Sequence, residues 1–273
     1  MQKYLSVIKI SLAQEFVYKL NFIMWRVRNI IQILVFFFLW TAVFESQANS
    51  SGAEVSYFGY TQSSIVAYTF LLVLIRSIVM ATKSNDVSGY ISSGELSNYL
   101  LKPIGFFKYI LSRDVSTKAL NIAFSFFEVT ILYLILKPNL FIQTDPYSLL
   151  LFVISLIIAG FIFFSIMMLA SCAPFWVPEM GWGVQFLVTV IFVEFLSGAF
   201  FPLDVFPKPL FEFLKLTPFP YLVFIPIQTY LGNLSTFETY KNLLIGLLWS
   251  VILWLLMNKV WKKGLKIYEA VGR

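Results

Sequence analysis

The sequence contains no histidine and a single cysteine, Cys172. A His-based proton relay, a Cys/His zinc site, a Ser-His-Asp triad and a disulfide framework are therefore all unavailable. No glycine is followed by lysine, so the G-x-x-x-x-G-K-[ST] phosphate loop occurs nowhere, and no long polar segment offers room for another ATP site. Charge is scarce as well, at 12% of 273 residues. The two halves show no clear internal repeat, which counts against a self-contained transporter built from inverted halves. What is abundant is apolar surface: 59% hydrophobic residues, 19% aromatics and a mean hydropathy of +0.81. These values exclude a water-soluble enzyme and point to an all-α integral membrane protein. In such a chain the net charge of +6 serves orientation in a bilayer rather than contact with nucleic acid.

A helix crossing about 30 Å of hydrocarbon needs roughly 20 mostly apolar residues. Six runs meet that requirement: Phe22 to Phe44, Tyr60 to Met80, Val115 to Leu136, Tyr147 to Cys172, Gly183 to Phe201 and Asn242 to Trp261. Arg26 and Arg28 lie in the first run and are expected to snorkel to the surface on their alkyl stems. Threading these spans puts sixteen of the 20 basic residues on one side and only Lys137, Lys208, Lys215 and Lys241 on the other. The excess predicts that both termini are cytoplasmic. Lys9, Glu15 and Lys19 interrupt any apolar core in the first 20 residues, which predicts that they are not a cleaved signal peptide.

The chain is expected to form one transmembrane domain over 1–273 with three segments outside the spans. Residues 1–20 place Leu5, Ile8, Leu12 and Phe16 at helical spacing, with Lys3, Lys9, Gln14, Glu15 and Lys19 elsewhere, which predicts an amphipathic helix on the inner membrane surface. Residues 81–114 form the longest cytoplasmic loop. Within it, Ser92 and Glu95 have capping-box spacing, so a helix is predicted from Ser93 until Pro103 stops it. Residues 202–240 hold six of the eleven prolines, from Pro202 to Pro226, among many aromatics. Pro209 to Leu216 and Pro220 to Tyr230 each read as a short helix with proline in the first turn, the second closed by Gly232. Too short to span, the pair is expected to dip back into the outer leaflet under cover of protein.

Two carboxylates, Glu128 and Glu194, fall inside spans, where a central charge costs roughly 2.5–3.5 kcal/mol on insertion scales. Each must face protein or water, and Arg76 is the one intramembrane cation expected opposite them. Gln185, Thr189 and Ser197 are candidates for the same interior face, together with Asn121 and Thr130; a role as interhelical glue is equally open.

These pieces resemble the membrane permease subunits of type-2 ATP-binding cassette exporters over nearly the whole chain. The local likeness lies in Ser93-Gly94-Glu95-Leu96-Ser97-Asn98-Tyr99-Leu100-Leu101-Lys102-Pro103-Ile104, in Leu196-Ser197-Gly198-Ala199-Phe200-Phe201-Pro202-Leu203 followed by Pro218-x-Pro220-Tyr221 and Gly232, and in the tail Trp261-x-x-Gly264-Leu265-x-x-Tyr268-Glu269. The resemblance implies a transport subunit that is not itself an enzyme. Two permeases, identical or related, would pack together in the membrane lipid, and each would engage a separate ATPase that holds ATP and Mg. The permease would carry no cofactor of its own. Ser92, Ser93, Gly94, Glu95, Leu96, Tyr99, Leu100, Leu101 and Pro103 would form the coupling surface. Glu128, Gln185, Thr189, Glu194 and Ser197 would line the substrate path, and Gly198, Pro202, Pro218, Pro220, Tyr221 and Gly232 the outer gate. An amphipathic drug, lipid or lipid-linked glycan would suit an aromatic, weakly charged path. Two other classes remain: an ion-coupled transporter or channel working through Glu128 and Glu194, and an intramembrane lipid-modifying enzyme, whose expected residues are largely missing.

Overall fold

A computed structural model of the chain describes residues 2–17, 19–51, 56–57 and 59–269. Helix α1 (Gln2–Val17) precedes a long α2 (Lys19–Ser51) and α3 (Gln62–Ile75), which continues through a wide π turn, Arg76–Met80. Two short helices follow, α4 (Asp86–Ser92) and α5 (Leu96–Leu100), then α6 (Phe106–Leu136) and α7 (Pro146–Ala170). Next, α8 (Gly181–Leu187) passes through a second π turn, Val188–Val193, into the single turn α9 (Glu194–Leu196). The chain closes with α10 (Lys208–Lys215), α11 (Phe224–Leu231) and α12 (Thr236–Ile267). Among the described residues there is no strand, only an isolated bridge between Tyr57 and Tyr60. Six helical stretches are long and apolar enough to cross a membrane. The expected number of spans and the all-α class therefore hold.

Three boundaries differ from expectation, fixed respectively by ion pairs, by a helix cap and by a backbone turn. The third spanning helix begins at Phe106, nine residues before Val115. Arg113 and Asp114, which read as a break, sit inside this helix because Arg113 pairs with Asp86 at 3.0 Å and Asp114 with Lys118 at 3.1 Å. The sixth begins at Thr236 rather than Asn242, because Ser235 and Glu238 form a reciprocal capping box that satisfies the first turn. That signature, Ser235-x-x-Glu238, was present in the sequence. In the loop between spans two and three, the predicted capping box at Ser92 does not form. Gly94 adopts φ +76°, which ends α4 and lets α5 start separately after Glu95.

The helix α3 sits at the centre, with Ile65 through Val73 all buried. A continuous apolar residue run such as this has no polar face to turn outward, and α2, α6 and α11 enclose it, with α7 against its π continuation. The helix α7 packs along α12, and α1 lies against α6. The buried side of α1 includes Ser11 at 4% exposure, whereas Leu5 and Ile10 point away from the protein at 58% and 59%. Part of the expected apolar stripe is thus left outside; the side chains of Phe16, Lys19 and Leu20 lie outside the described residues. A second apolar cluster, at the end carrying α4 and α5, joins Val87, Ile91, Leu96, Phe106, Phe175 and Trp261.

At the opposite, proline-rich end, α11 is enclosed in protein, with Phe224, Ile227 and Gln228 each at 2% exposure or less. The helix α10 instead buries Leu214 and exposes Phe213 and Leu216. The second helix starts at Phe224, not Pro220, because Phe219–Tyr221 is a separate 3-10 turn; Gly232 closes α11 at φ +69°. Gly198 makes the turn that leads into this region. Its φ is +86°, and an added Cβ would lie 3.0 Å from both the Phe224 Cβ and the Tyr68 hydroxyl, which donates to the Gly198 carbonyl at 2.6 Å. Gly198→Ala is expected to cost at least about 1–2 kcal/mol from the left-handed backbone alone. A lowered thermal midpoint in detergent, with no gain of folded yield, checks this.

A polar cluster pins the same end. The Tyr60 hydroxyl donates to the Asp204 carboxylate at 2.7 Å, the Gln228 amide donates to the same oxygen at 3.3 Å, and Asn233 donates to Gln228 at 2.7 Å. Burial raises the Asp204 carboxyl above its ordinary value, an effect opposed by the Tyr60 hydrogen bond; burial and Asp204 together raise Tyr60. The native state therefore holds the Asp204 proton more tightly than the unfolded chain does. Its stabilisation is complete below the unfolded value near 4 and declines as pH rises through the native one. Asp204→Asn is expected to flatten that part of the pH–stability curve; an unchanged slope above about pH 4 counts against the assignment.

Candidate functional site: a charged chamber and a surface platform

The two glutamates inside spans are brought to arginines. Arg26, from α2, places Nη1 3.3 Å from Glu128 of α6 and donates to Ser125 at 3.0 Å, and its Nη2 reaches Asn121. At 8% exposure Arg26 does not snorkel out of the span. The reason is energetic: a buried carboxylate left alone costs more than the rotamer freedom lost in holding a guanidinium beside it. Arg28 and Arg76 converge on one oxygen of Glu194, at 3.3 and 2.5 Å, and Arg76 also donates to Gln32 at 2.7 Å. The expected partner Arg76 is found, and two more arginines join it. The missing signal was charge balance: Arg26 and Arg28 are the cations of an apolar run in a chain with two intramembrane acids.

Arg76 opens one π turn and Glu194 follows the other. Wide turns of this kind redirect side chains by shifting the helical register and recur at functional sites. Between these helices lies a chamber of about 890 Å³. Gln185, Thr189 and Glu194 line it, as does Arg26, the partner of Glu128. Gln185 is fixed by donating to the Ser171 hydroxyl at 2.7 Å and the Asn85 carbonyl at 2.9 Å. Ser197 is not there: it is fully buried at the turn beside Gly198, where its carbonyl accepts from the Phe224 amide at 2.9 Å. Thr130 is exposed on α6.

Of the residues read as an outer gate, Gly198 and Pro202 stand at that turn, whereas Gly232 closes the far end of α11. Pro202 precedes a 3-10 turn with Leu203 fully buried, and Tyr221, behind Pro218 and Pro220, donates its hydroxyl to the Lys215 carbonyl at 3.0 Å. Gly246 of α12 lies beside the Tyr221 ring and tightest against Ile158, whose Cγ2 would be 3.0 Å from an added Cβ.

At the other end α4 and α5 form a braced platform. The Ser92 hydroxyl donates to the Pro178 carbonyl at 3.0 Å, and the Tyr268 hydroxyl donates to the Gly94 carbonyl at 2.8 Å. Tyr90, Tyr99 and Tyr109 stack with centroids 4.4 and 5.5 Å apart, and Lys102 caps Tyr99 at 4.3 Å. Burial pushes the Tyr90 hydroxyl up. Leu96 faces inward and is fully buried, so it anchors the platform rather than facing outward with its neighbours. Ser93, Glu95, Leu100, Leu101 and Pro103 face outward, with Leu101 at 84% exposure. The tail residues have a structural reading too: Trp261 stacks on Phe106 at 4.7 Å, Gly264 admits the Phe175 ring, and Tyr268 ties to Gly94.

Among the described residues no group of His, Cys, Asp and Glu is arranged to hold a metal. No curated protein matches the chain. The family model described as ABC-2 family transporter protein matches residues 30–272, which takes in most of the first span, the other five spans, the platform and the proline-rich end. The spans, their order and this match agree, and the chain belongs to the ABC-2 transporter family as a multi-pass membrane permease.

Proposed function

We propose that the chain is the membrane subunit of an ATP-driven exporter, working as a pair of permeases with a separate ATPase docked at the end that carries α4 and α5. The observation that carries this reading is the platform. Exposed Leu100, Leu101 and Pro103 project from a helix pair held by Ser92, Leu96, Tyr99 and Tyr268. Apolar groups displayed on a rigid, polar-braced element suit a protein partner. A braced element also passes on a rigid-body shift that a loose loop would absorb. Ser92 connects the platform to the start of the fifth span and Tyr268 to the end of the sixth, so movement of α4 and α5 has two routes into the spans.

With this face cytoplasmic, both termini lie inside the cell and the basic excess obeys the positive-inside rule. The exposed apolar residues of α1 then meet the inner membrane surface, and α10 lays Phe213 and Leu216 into the outer one. The exposed apolar stripe on α8, including Trp182 and Phe186, supplies surface for the second permease. Ion-coupled transport is the weaker reading, because Glu128 and Glu194 are each held by arginine and not poised for a cation.

The test is affinity purification of the full chain from its native membrane in mild detergent, with mass spectrometry of what accompanies it and an ATPase assay. A soluble ATPase at about one per permease is expected. Glu95→Arg and Leu101→Glu are expected to abolish its recovery while leaving expression intact, since both positions are exposed. Recovery of the chain alone excludes the exporter reading. Tyr268→Phe removes one hydrogen bond, worth about 1 kcal/mol. Faster amide exchange over residues 94–101 with an unchanged thermal midpoint is the expected signature.

A further inference from the structure

Two cavities of opposite character meet at the Arg28–Arg76–Glu194 cluster. One is a groove of about 500 Å³ along α2, walled by Val27, Ile31, Val35, Phe36 and Phe200. The other is the polar chamber of about 890 Å³. Arg28, Gln32, Arg76 and Glu194 line both, so the apolar groove opens into the chamber there. The combined shape has a greasy limb and a charged limb.

The signs of the charges restrict what fits. Arg26, Arg28, Arg76, Lys83 and Arg113 line the chamber against Glu15, Asp86 and Glu194. Adding Glu128, which pairs with Arg26 from behind, still leaves five cations against four carboxylates. At the junction two guanidiniums share one carboxylate oxygen. Such a pair presents forked donors that match phosphate geometry, and it repels a cationic head. Arg76 is fixed by Gln32, whereas the Arg28 side chain is 50% exposed and has room to turn toward a ligand.

Position along the helix agrees. From Arg28 to Val35 the groove wall runs seven residues, about 10 Å of helix, from the end nearer α1 toward the middle of the span. A bilayer lipid on that side has its head and tail in the same order.

We propose that the joined cavities bind a lipid with a phosphate-bearing head, its acyl tail in the groove and its phosphate against Arg28 and Arg76. That this lipid is the transported cargo rests on the exporter reading; that it binds does not.

The experiment is titration of the purified full-length chain in mild detergent with lysophosphatidic acid, lysophosphatidylcholine and a monoacylglycerol of equal chain length, followed by native mass spectrometry. Lysophosphatidic acid is expected to bind tightest. Arg28→Gln is expected to weaken it about tenfold, the loss of one charge-assisted contact. Glu194→Gln is expected to tighten it, because the competing carboxylate is gone, and to leave the monoacylglycerol unchanged. Val35→Trp, which fills the groove and leaves the ion pairs intact, is expected to weaken all three. Equal binding of the three lipids, or no loss with Arg28→Gln, overturns the proposal. A second arm separates the two readings. Charge-selective binding without any associated ATPase removes the exporter role and keeps the site, whereas a coupled ATPase that lysophosphatidic acid does not stimulate makes the bound lipid a resident and not the cargo.

Discussion

Arg26→Ala is expected to destabilise the folded chain by about 3–5 kcal/mol, the usual cost of stranding one partner of a buried ion pair. The substitution leaves Glu128 at 7% exposure and strips Ser125 and Asn121 of the guanidinium they share. Glu128→Gln is also expected to be destabilising: the amide oxygen still accepts from Arg26, but the guanidinium, at 8% exposure, is left without a counter-charge. The double variant Arg26→Ala with Glu128→Ala is expected to recover part of the loss, since no uncompensated charge remains. A double-mutant cycle on thermal or denaturant unfolding in detergent measures the coupling directly. Additive single losses would mean that the two side chains meet without supporting each other. Arg26→Lys tests geometry separately: a point charge cannot reach Glu128, Ser125 and Asn121 at once as the planar fork does.

The second large effect is expected at Gly264, where α12 passes the Phe175 ring with no room for a side chain. A Cβ placed there would lie 2.6 Å from the Phe175 Cγ, well inside contact distance. Phe175 is itself packed against Trp261 at 5.4 Å and Tyr268 at 5.9 Å, so it cannot retreat without breaking that cluster. Gly264→Ala is expected to cost about 1–3 kcal/mol by overpacking, and a larger residue more. The local consequence matters as much as the global one. Displacing Phe175 shifts Tyr268 from Gly94 and loosens the platform, so Gly264→Ala is expected to speed amide exchange over residues 94–101 more strongly than Tyr268→Phe does. Compensation by Phe175→Leu, which removes the overlap, would identify packing as the cause. If Phe175→Leu fails to rescue, the glycine matters for another reason.

The membrane class, the number of spans and their order could be read from the sequence because hydrocarbon imposes one rule on every residue of a span, whatever its neighbours. A run such as Pro146–Ala170 contains no Asp, Glu, Lys or Arg and announces itself. Local chemistry was legible as well: Gly232 closing α11, and the prolines ahead of the short helices. What failed were the places where a polar side chain has a partner far along the chain. Arg113 reads as a loop residue until Asp86 lies beside it, and Arg26 reads as a surface residue until Glu128 does. Ser92 and Glu95 have the spacing of a capping box, yet Ser92 spends its hydroxyl on Pro178 of another segment.

The sequence by itself determined that this chain has six runs long and apolar enough to cross a bilayer, that its basic residues fall mostly between one set of their ends, and that it contains no G-x-x-x-x-G-K-[ST] motif. Those properties follow from composition and periodicity, which act residue by residue. Only the tertiary structure decided which charges meet, that Leu96 anchors the platform from inside, and that an apolar groove joins a cationic chamber at Arg28, Arg76 and Glu194. Those properties depend on distance in space, and inside a low-dielectric fold a buried charge is settled by whichever partner comes within a few ångströms, however far away it lies in the chain.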